Sequence, residues 1–462
     1  MKPKMIIKRF ENILQNNERV FFDYEEFEVI IDYFSTSNQY RKASIAIEMA
    51  LEQYPSSIDF LLHKVKILYD NKEIQNALDI LSKAEIIDPI HPEVFMTKGA
   101  IYNQMGSSEK AIECFKSAIK NAGAMQNIIE DGYRYLAFEY EQLKQYDNAI
   151  FCLKKVIGFN PENNDIFYEL SCCYEVSGKD NEAVEFFNSL LDNYPYSYCA
   201  WFNLGIVYDR LELFEKAIEA YDYVIAIKKD FAPGYFNKAN AMVNLDRLEE
   251  AILLYYETFK YEKPEALTYC YIGECYEKLE NYKQAMIHYN KAISIDPDLA
   301  DAWLGMGIVL DHQDRTAEGI HYLKKAIRIE NQNVEFWYTI ANAYKKLGFS
   351  EETETAYQKV IELEPSIESI WLDYSDLLFE LGDKEKVIEI LAEGIKHHPN
   401  SVEIYYRMAA CLLWTGKKQE ALIYLQHALQ HDFKKHKEIF KFIPGLRKNR
   451  ELLDLIKTYQ KQ

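Results

Sequence analysis

Apolar residues in this chain fall in short helical runs, and the runs recur at a fixed step. In AWFNLGIVYDRL, 200–211, apolar side chains three and four residues apart mark one face of a helix; GYFNKANAMVNL, 234–245, follows it one step later. Stepping 34 residues from Trp201 lands on Tyr235, Tyr269, Trp303, Trp337, Trp371 and Tyr405, and backwards on Phe167 and Tyr133. A four-residue insertion near 121–129 intervenes, and the series resumes at Phe95, Leu61 and Phe27. Twelve units are thus predicted over 24–435.

Two further positions keep the step. Sixteen residues after the aromatic comes alanine in nine units, among them Ala43, Ala111, Ala217 and Ala285. Twenty-eight residues after it comes proline in seven, among them Pro55, Pro195, Pro297 and Pro365. A small residue lets two helices approach, an aromatic fills the space beside it, and proline ends the second helix. The pattern predicts a helical hairpin per unit. The four tryptophans at the aromatic position are expected in the core.

With its phase-locked aromatic, alanine and proline, the chain resembles the tetratricopeptide repeat (TPR) family, and units such as TYCYIGECYEKLENYKQAMIHYNKAISIDP follow the family pattern closely. The resemblance implies an all-α fold: a right-handed TPR superhelix, an α-solenoid of about twelve hairpins. Gly319, Thr353 and Val387 depart from the second-helix alanine, and Leu61 from the aromatic. Residues 1–23, with a helix from about Met5 to Asn16, and 436–462, read as two short amphipathic helices, are expected to cap the stack, since a solenoid's end hairpins need covering.

Within each first helix the aromatic and the residues three, four and seven further on form the core stripe; in the seventh unit these are Tyr235, Lys238, Ala239 and Met242. Asn237, Asn240 and Asn244 form a second stripe roughly opposite, matched in the sixth unit by Asn203, Ile206 and Arg210. The resemblance implies that this face lines the concave groove. In some long family members an asparagine ladder at this position holds peptide main chain, and an amide can pair with both C=O and N–H. The expected groove residues are Phe202, Asn203, Arg210, Phe236, Asn237, Asn240, Asn244, Tyr271, Glu274 and Asn342, with the asparagines facing solvent. A secondary set is the apolar Tyr135 and Phe138 beside Arg134, and the acidic Asp373, Asp376 and Glu380 of the eleventh unit. Apolar groups at one end and carboxylates at the other would suit an extended peptide with a basic portion. Where chaperone-binding relatives carry a clamp lysine, none of the twelve units has one, so no carboxylate-tail clamp is expected.

Charge refines this picture. The formal net charge is −20, yet nine basic residues face three acidic ones from Lys434 to Gln462. An acidic body suits basic proteins and disfavours DNA along its length. The tail residues Lys434, Lys435, Lys437, Lys441, Arg447, Lys448 and Arg450 are a candidate attachment site for RNA or lipid. The eight cysteines lack CxxC or Cys/His spacing and read as buried small residues. His427 and His431 lie i, i+4 without further ligands, and read as a solvated face rather than a metal site. Trp414 falls on the groove face, touching either a ligand or the C-terminal segment.

No nucleotide-binding, metalloprotease or serine-hydrolase motif appears, so neither an enzyme nor a cofactor is expected. No apolar run reaches membrane length and no signal peptide is evident, so a cytoplasmic protein is expected. Two functions fit: a non-enzymatic scaffold or adaptor binding protein or peptide segments in the groove, or an accessory factor bound to a large assembly, such as the ribosome or a secretion complex, through its acidic body and basic tail.

Overall fold

The computed structural model describes residues 3–16, 20–159 and 161–460. Of the expected caps, residues 1, 2, 17–19, 461 and 462 lie outside the described residues. Among those described, every regular element is helical. A first helix, Pro3–Asn16, precedes twelve helix pairs that run from Tyr24–Thr36 with Tyr40–Gln53 to Val402–Trp414 with Lys418–His431. Short helical pieces and a final helix, Arg450–Gln460, follow. The chain divides into two compact halves, 1–241 and 242–462.

Local chemistry sets where helices begin and turn. Ser57, Ser197 and Ser401 sit at N-caps, where each hydroxyl accepts from the backbone N–H three residues on. Each hairpin turn places one residue at positive φ, from Asn38 (57°) to Gly416 (84°). In seven of these turns that residue is not glycine, Glu212 and Glu280 among them. The insertion lengthens the first helix of the fourth pair, Gln126–Gln142, to 17 residues where Tyr198–Arg210 has 13. Tyr133 accordingly lies one turn deeper into its helix than Trp201 does.

Packing follows the small-against-large logic. A Cβ on Gly205 would lie 2.5 Å from the Tyr221 ring, so glycine there lets the second helix bring its tyrosine against the first. The departures from alanine have local reasons. A Cβ on Gly319 would meet the Gly307 carbonyl oxygen at 2.8 Å, the Thr353 hydroxyl donates to Phe349 O, and Val387 is fully buried. Leu61 is buried in place of the aromatic.

The tryptophans correct one expectation. Only Trp371 is buried; Trp201, Trp303 and Trp337 are half-buried. Each indole N–H instead donates to a carbonyl six residues earlier, Pro195, Pro297, Asn331 and Pro365 in turn, at 2.8–3.0 Å. The aromatic therefore ties its helix to the loop from the preceding repeat, and a ring at that boundary keeps one edge near solvent. Lys238, in the expected core stripe, is paired with Asp222 at 2.5 Å.

Candidate binding groove

The face of each first helix that holds the residues one, two, five and nine after the aromatic is the one expected to be open. In the first half the structure corrects that expectation at three positions. Phe202 is buried, its ring edge-on to Phe231 at 5.0 Å. Asn203 is wholly buried; its Nδ2 donates to Cys199 O at 2.9 Å and its Oδ1 has no partner. With no surface reaching water, it is not a solvent-facing asparagine. Arg210 is bound to the preceding repeat, with Nη2 2.6 Å from Asp180 Oδ1 and Nη1 donating to Ser171 Oγ at 3.1 Å.

Asn237, Phe236 and Asn240 are half-buried. Asn237 bonds the Tyr221 hydroxyl, which donates to Asp209 Oδ2 at 2.6 Å. Burial pushes Asp209 up to about 6, although the Tyr221 bond works against it. Phe202, Asn203 and Arg210 are thus held by neighbours, and Asn237 is already hydrogen-bonded.

The fourth repeat is more open. Tyr135 stacks parallel on Phe115 at 4.9 Å and remains 43% exposed, and Phe138 is 48% exposed. They border a cavity of about 390 Å³ together with Arg134, Asn103, Asp131, Glu141 and Glu169. Glu141 Oε1 accepts from Cys173 Sγ at 3.2 Å. Glu169 is exposed, but its surroundings partly desolvate the carboxyl and raise it, as does the nearby Glu141, with Arg134 opposing. The apolar patch expected here is therefore also acidic.

In the second half, Asn244, Asn342 and Glu380 are exposed. Asn342 Oδ1 accepts from the Tyr357 hydroxyl at 3.4 Å. Tyr271 stacks on Tyr255 at 6.0 Å. Burial, followed by the carboxylate of Asp301, pushes Glu274 up to about 7. The eleventh repeat is less acidic in effect than its residues suggest. Arg407 of the twelfth repeat donates to Asp376 Oδ1 at 2.6 Å, and Asp373 accepts from the Tyr338 hydroxyl. A cross-repeat arginine is invisible when one helix is read alone.

Trp414 borders the apolar cluster in which the C-terminal segment packs. Its ring lies 4.7 Å from Phe379, which also packs on Phe442 at 4.9 Å. Phe442 belongs to the short helix Glu438–Phe442, so the segment rests against the first helices of the last two repeats. Ile439, Ile443, Leu446, Leu452 and Ile456 are buried there. Of the basic tail, Lys435 pairs with Glu403 at 2.7 Å and Lys441 with Glu438 at 2.6 Å. Lys434, Lys437, Arg447, Lys448 and Arg450 form no ion pair among the described residues and are exposed.

Asp131, Glu141, Glu169, Asp209 and Asp301 were not among the expected residues. Glu141 and Asp209 occupy the position eight after the aromatic, also acidic at Glu175, Glu277 and Asp311. On a helix that position lies between the core and groove stripes. Reading it across the repeats would have found the series, and Glu169 stands on the groove stripe of the fifth repeat. The histidine pair His427 and His431 stacks at 4.1 Å; among the described residues no cluster of three ligands could hold a metal.

Models of the tetratricopeptide repeat match residues 92–124, 136–163, 165–197, 200–231, 266–299, 334–367 and 368–411, together more than half of the chain. The chain is 22% identical over 156 residues to anaphase-promoting complex subunit 3 of Schizosaccharomyces pombe, covering 34% of this chain and 23% of that one. It is 26% identical over 176 residues to the NatA auxiliary subunit N-alpha-acetyltransferase 16 of Mus musculus, covering 37% and 20%. The alignments thus span under a quarter of each relative's length. Among solved structures, the APC/C hetero-tetramer Cut9-Hcn1 aligns at 14% identity over 89% of this chain and 94% of that one, with a TM-score of 0.44. No described helix is long and apolar enough to cross a membrane.

Proposed function

Because the chain belongs to the tetratricopeptide repeat family, we propose that it is a scaffold or adaptor that holds a protein or peptide segment against the groove face of its first helices and performs no chemistry of its own. The observation that carries the reading is the mixture of open aromatic, amide and carboxylate groups on that face. Tyr135, Phe138, Glu169, Asn244, Asn342 and Glu380 are all exposed on first helices. Such groups offer stacking surface, backbone hydrogen bonds and charge to an extended chain. The thiols argue against nucleophilic use: burial raises Cys114 and Cys152 to about 11 and Cys275 and Cys411 to about 12, opposite to what an attacking thiolate requires.

The test is capture of partners from native extract, followed by titration of the identified segment. Changing the exposed Asn244 and Asn342 to alanine should weaken binding, each lost hydrogen bond contributing about 0.5–1.5 kcal/mol. Unchanged affinity would return these asparagines to ordinary surface.

A second reading, membership of a large assembly, draws on the exposed Arg447, Lys448 and Arg450 outside any ion pair among the described residues, and on the relatives being named as subunits of complexes. The two readings are compatible, since one surface can hold a segment while the tail attaches elsewhere.

A further inference from the structure

We propose that the cavity on the fourth repeat receives a basic side chain, an arginine or lysine of the bound segment, and so gives the groove its charge preference. The proposal rests on the peptide-binding reading above and adds what that peptide must carry. At about 390 Å³ the cavity has room for one long side chain with hydrating water, not for a folded element.

Three carboxylates, Asp131, Glu141 and Glu169, line it against one guanidinium, Arg134. Arg134 acts on Glu169 at a distance but forms no ion pair with any of the three among the described residues, so the acidic groups outnumber it and keep capacity for a cation. Glu141 is held by the Cys173 thiol through Oε1, which leaves Oε2 for a ligand. Glu141 and Glu169 repel one another across the cavity. A cation between them relieves that repulsion, whereas an anion drawn to Arg134 would meet three like charges.

The wall supplies the second half of the recognition. Phe138 is exposed, and Tyr135 is fixed by its parallel stack on Phe115. An ammonium or guanidinium that reaches the carboxylates passes these rings, where cation–π attraction adds to the charge term. The basic portion of a ligand is thereby moved from the eleventh repeat, where Arg407 already satisfies Asp376, to the fourth.

The test uses the full chain and dye-labelled host peptides of Gln, Ala and Leu that differ only in a central arginine, citrulline or glutamate. By fluorescence anisotropy the arginine peptide should bind about tenfold more tightly than the other two, as expected for charge-assisted hydrogen bonds. E141Q/E169Q should erase that difference, and R134Q should widen it. Should the double variant fail to fold, Phe138→Ala serves instead and should weaken the arginine peptide several-fold and the citrulline peptide less. Binding without charge preference, or a preference that survives E141Q/E169Q, overturns the pocket and leaves the groove reading standing. Binding of none of the peptides by the parent chain overturns both.

Discussion

The guanidinium of Arg407 lies over the ring of Phe442, 4.9 Å from its centroid. The same guanidinium bonds Asp376, so one arginine links the eleventh repeat, the twelfth and the C-terminal segment. An arginine shared between a carboxylate and a ring is well matched to its planar, weakly hydrated head. Phe442→Ala removes the ring from both Arg407 and Phe379. It should cost about 1–3 kcal/mol locally, less than a fully buried phenylalanine would. Hydrogen exchange should quicken over 438–460 and leave the first half unchanged; uniform protection would show that the ring holds nothing in place.

The hairpin turns supply a second prediction. Glu212 and Glu280 adopt φ of 57° and 56°, a region that is costly for any residue with a Cβ. Glycine at either site removes that strain but adds freedom to the unfolded chain, for a net gain of about 0.5 kcal/mol. Melting temperature should rise for Glu212→Gly and Glu280→Gly. It should fall for Gly178→Ala, whose φ is 67° and whose added methyl would touch nothing.

Asn203 and Asn244 are chemically identical and differ in surroundings. Asn203 is fully buried with an unpartnered oxygen; Asn244 is exposed. Asn203→Asp would place a carboxylate where nothing solvates it, and should cost about 2 kcal/mol or more near neutral pH. Asn244→Asp should leave the melting temperature almost unchanged. Equal effects would mean that Asn203 reaches water.

These contrasts define what could be read from the sequence. The 34-residue step located the helix pairs because packing a hairpin calls for similar small and aromatic residues on most laps. It also marked one stripe of each first helix as the candidate binding face. It did not reveal which polar residues on that stripe are already engaged. Arg210 reaches Asp180 and Ser171 one repeat back, and Arg407 reaches Asp376. Such partners lie roughly 30 to 40 residues away, and a single-helix reading does not see them. The C-terminal segment lay outside the repeat, so its path over Phe379 required three-dimensional packing to find.

Glu274 gives a pH dependence with a definite sign. Burial and Asp301, with the Cys270 hydrogen bond and Lys278 opposing and Glu277 adding, hold its carboxyl at about 7 against an ordinary 4.5. The folded chain therefore holds this proton more tightly than the unfolded chain does. That contribution to stability is complete below the ordinary carboxylate value and is lost as pH rises through 7. Glu274→Gln should flatten the fall in melting temperature between about pH 5 and about pH 8, and should leave the variant the more stable protein at the upper end. A variant whose profile parallels the parent would mean that Glu274 is ionised and solvated throughout.

The exposed tail charges separate attachment from capping. Lys435 and Lys441 are paired with Glu403 and Glu438, whereas Arg447, Lys448 and Arg450 are exposed and form no ion pair among the described residues. The segment packs through apolar residues, Ile439, Leu446, Leu452 and Ile456, so changing the three exposed charges to glutamine should leave the melting temperature where it was. If those charges touch phosphate, fewer counterions are released when the variant binds. It should then leave RNA or anionic vesicles at lower salt than the parent, with a shallower dependence of log affinity on log salt. The slope should lessen by about two to three, near 0.7–0.9 for each phosphate no longer neutralised. Parent and variant eluting together across the whole salt series would make the tail a cap with a solvated surface, and would remove the attachment role.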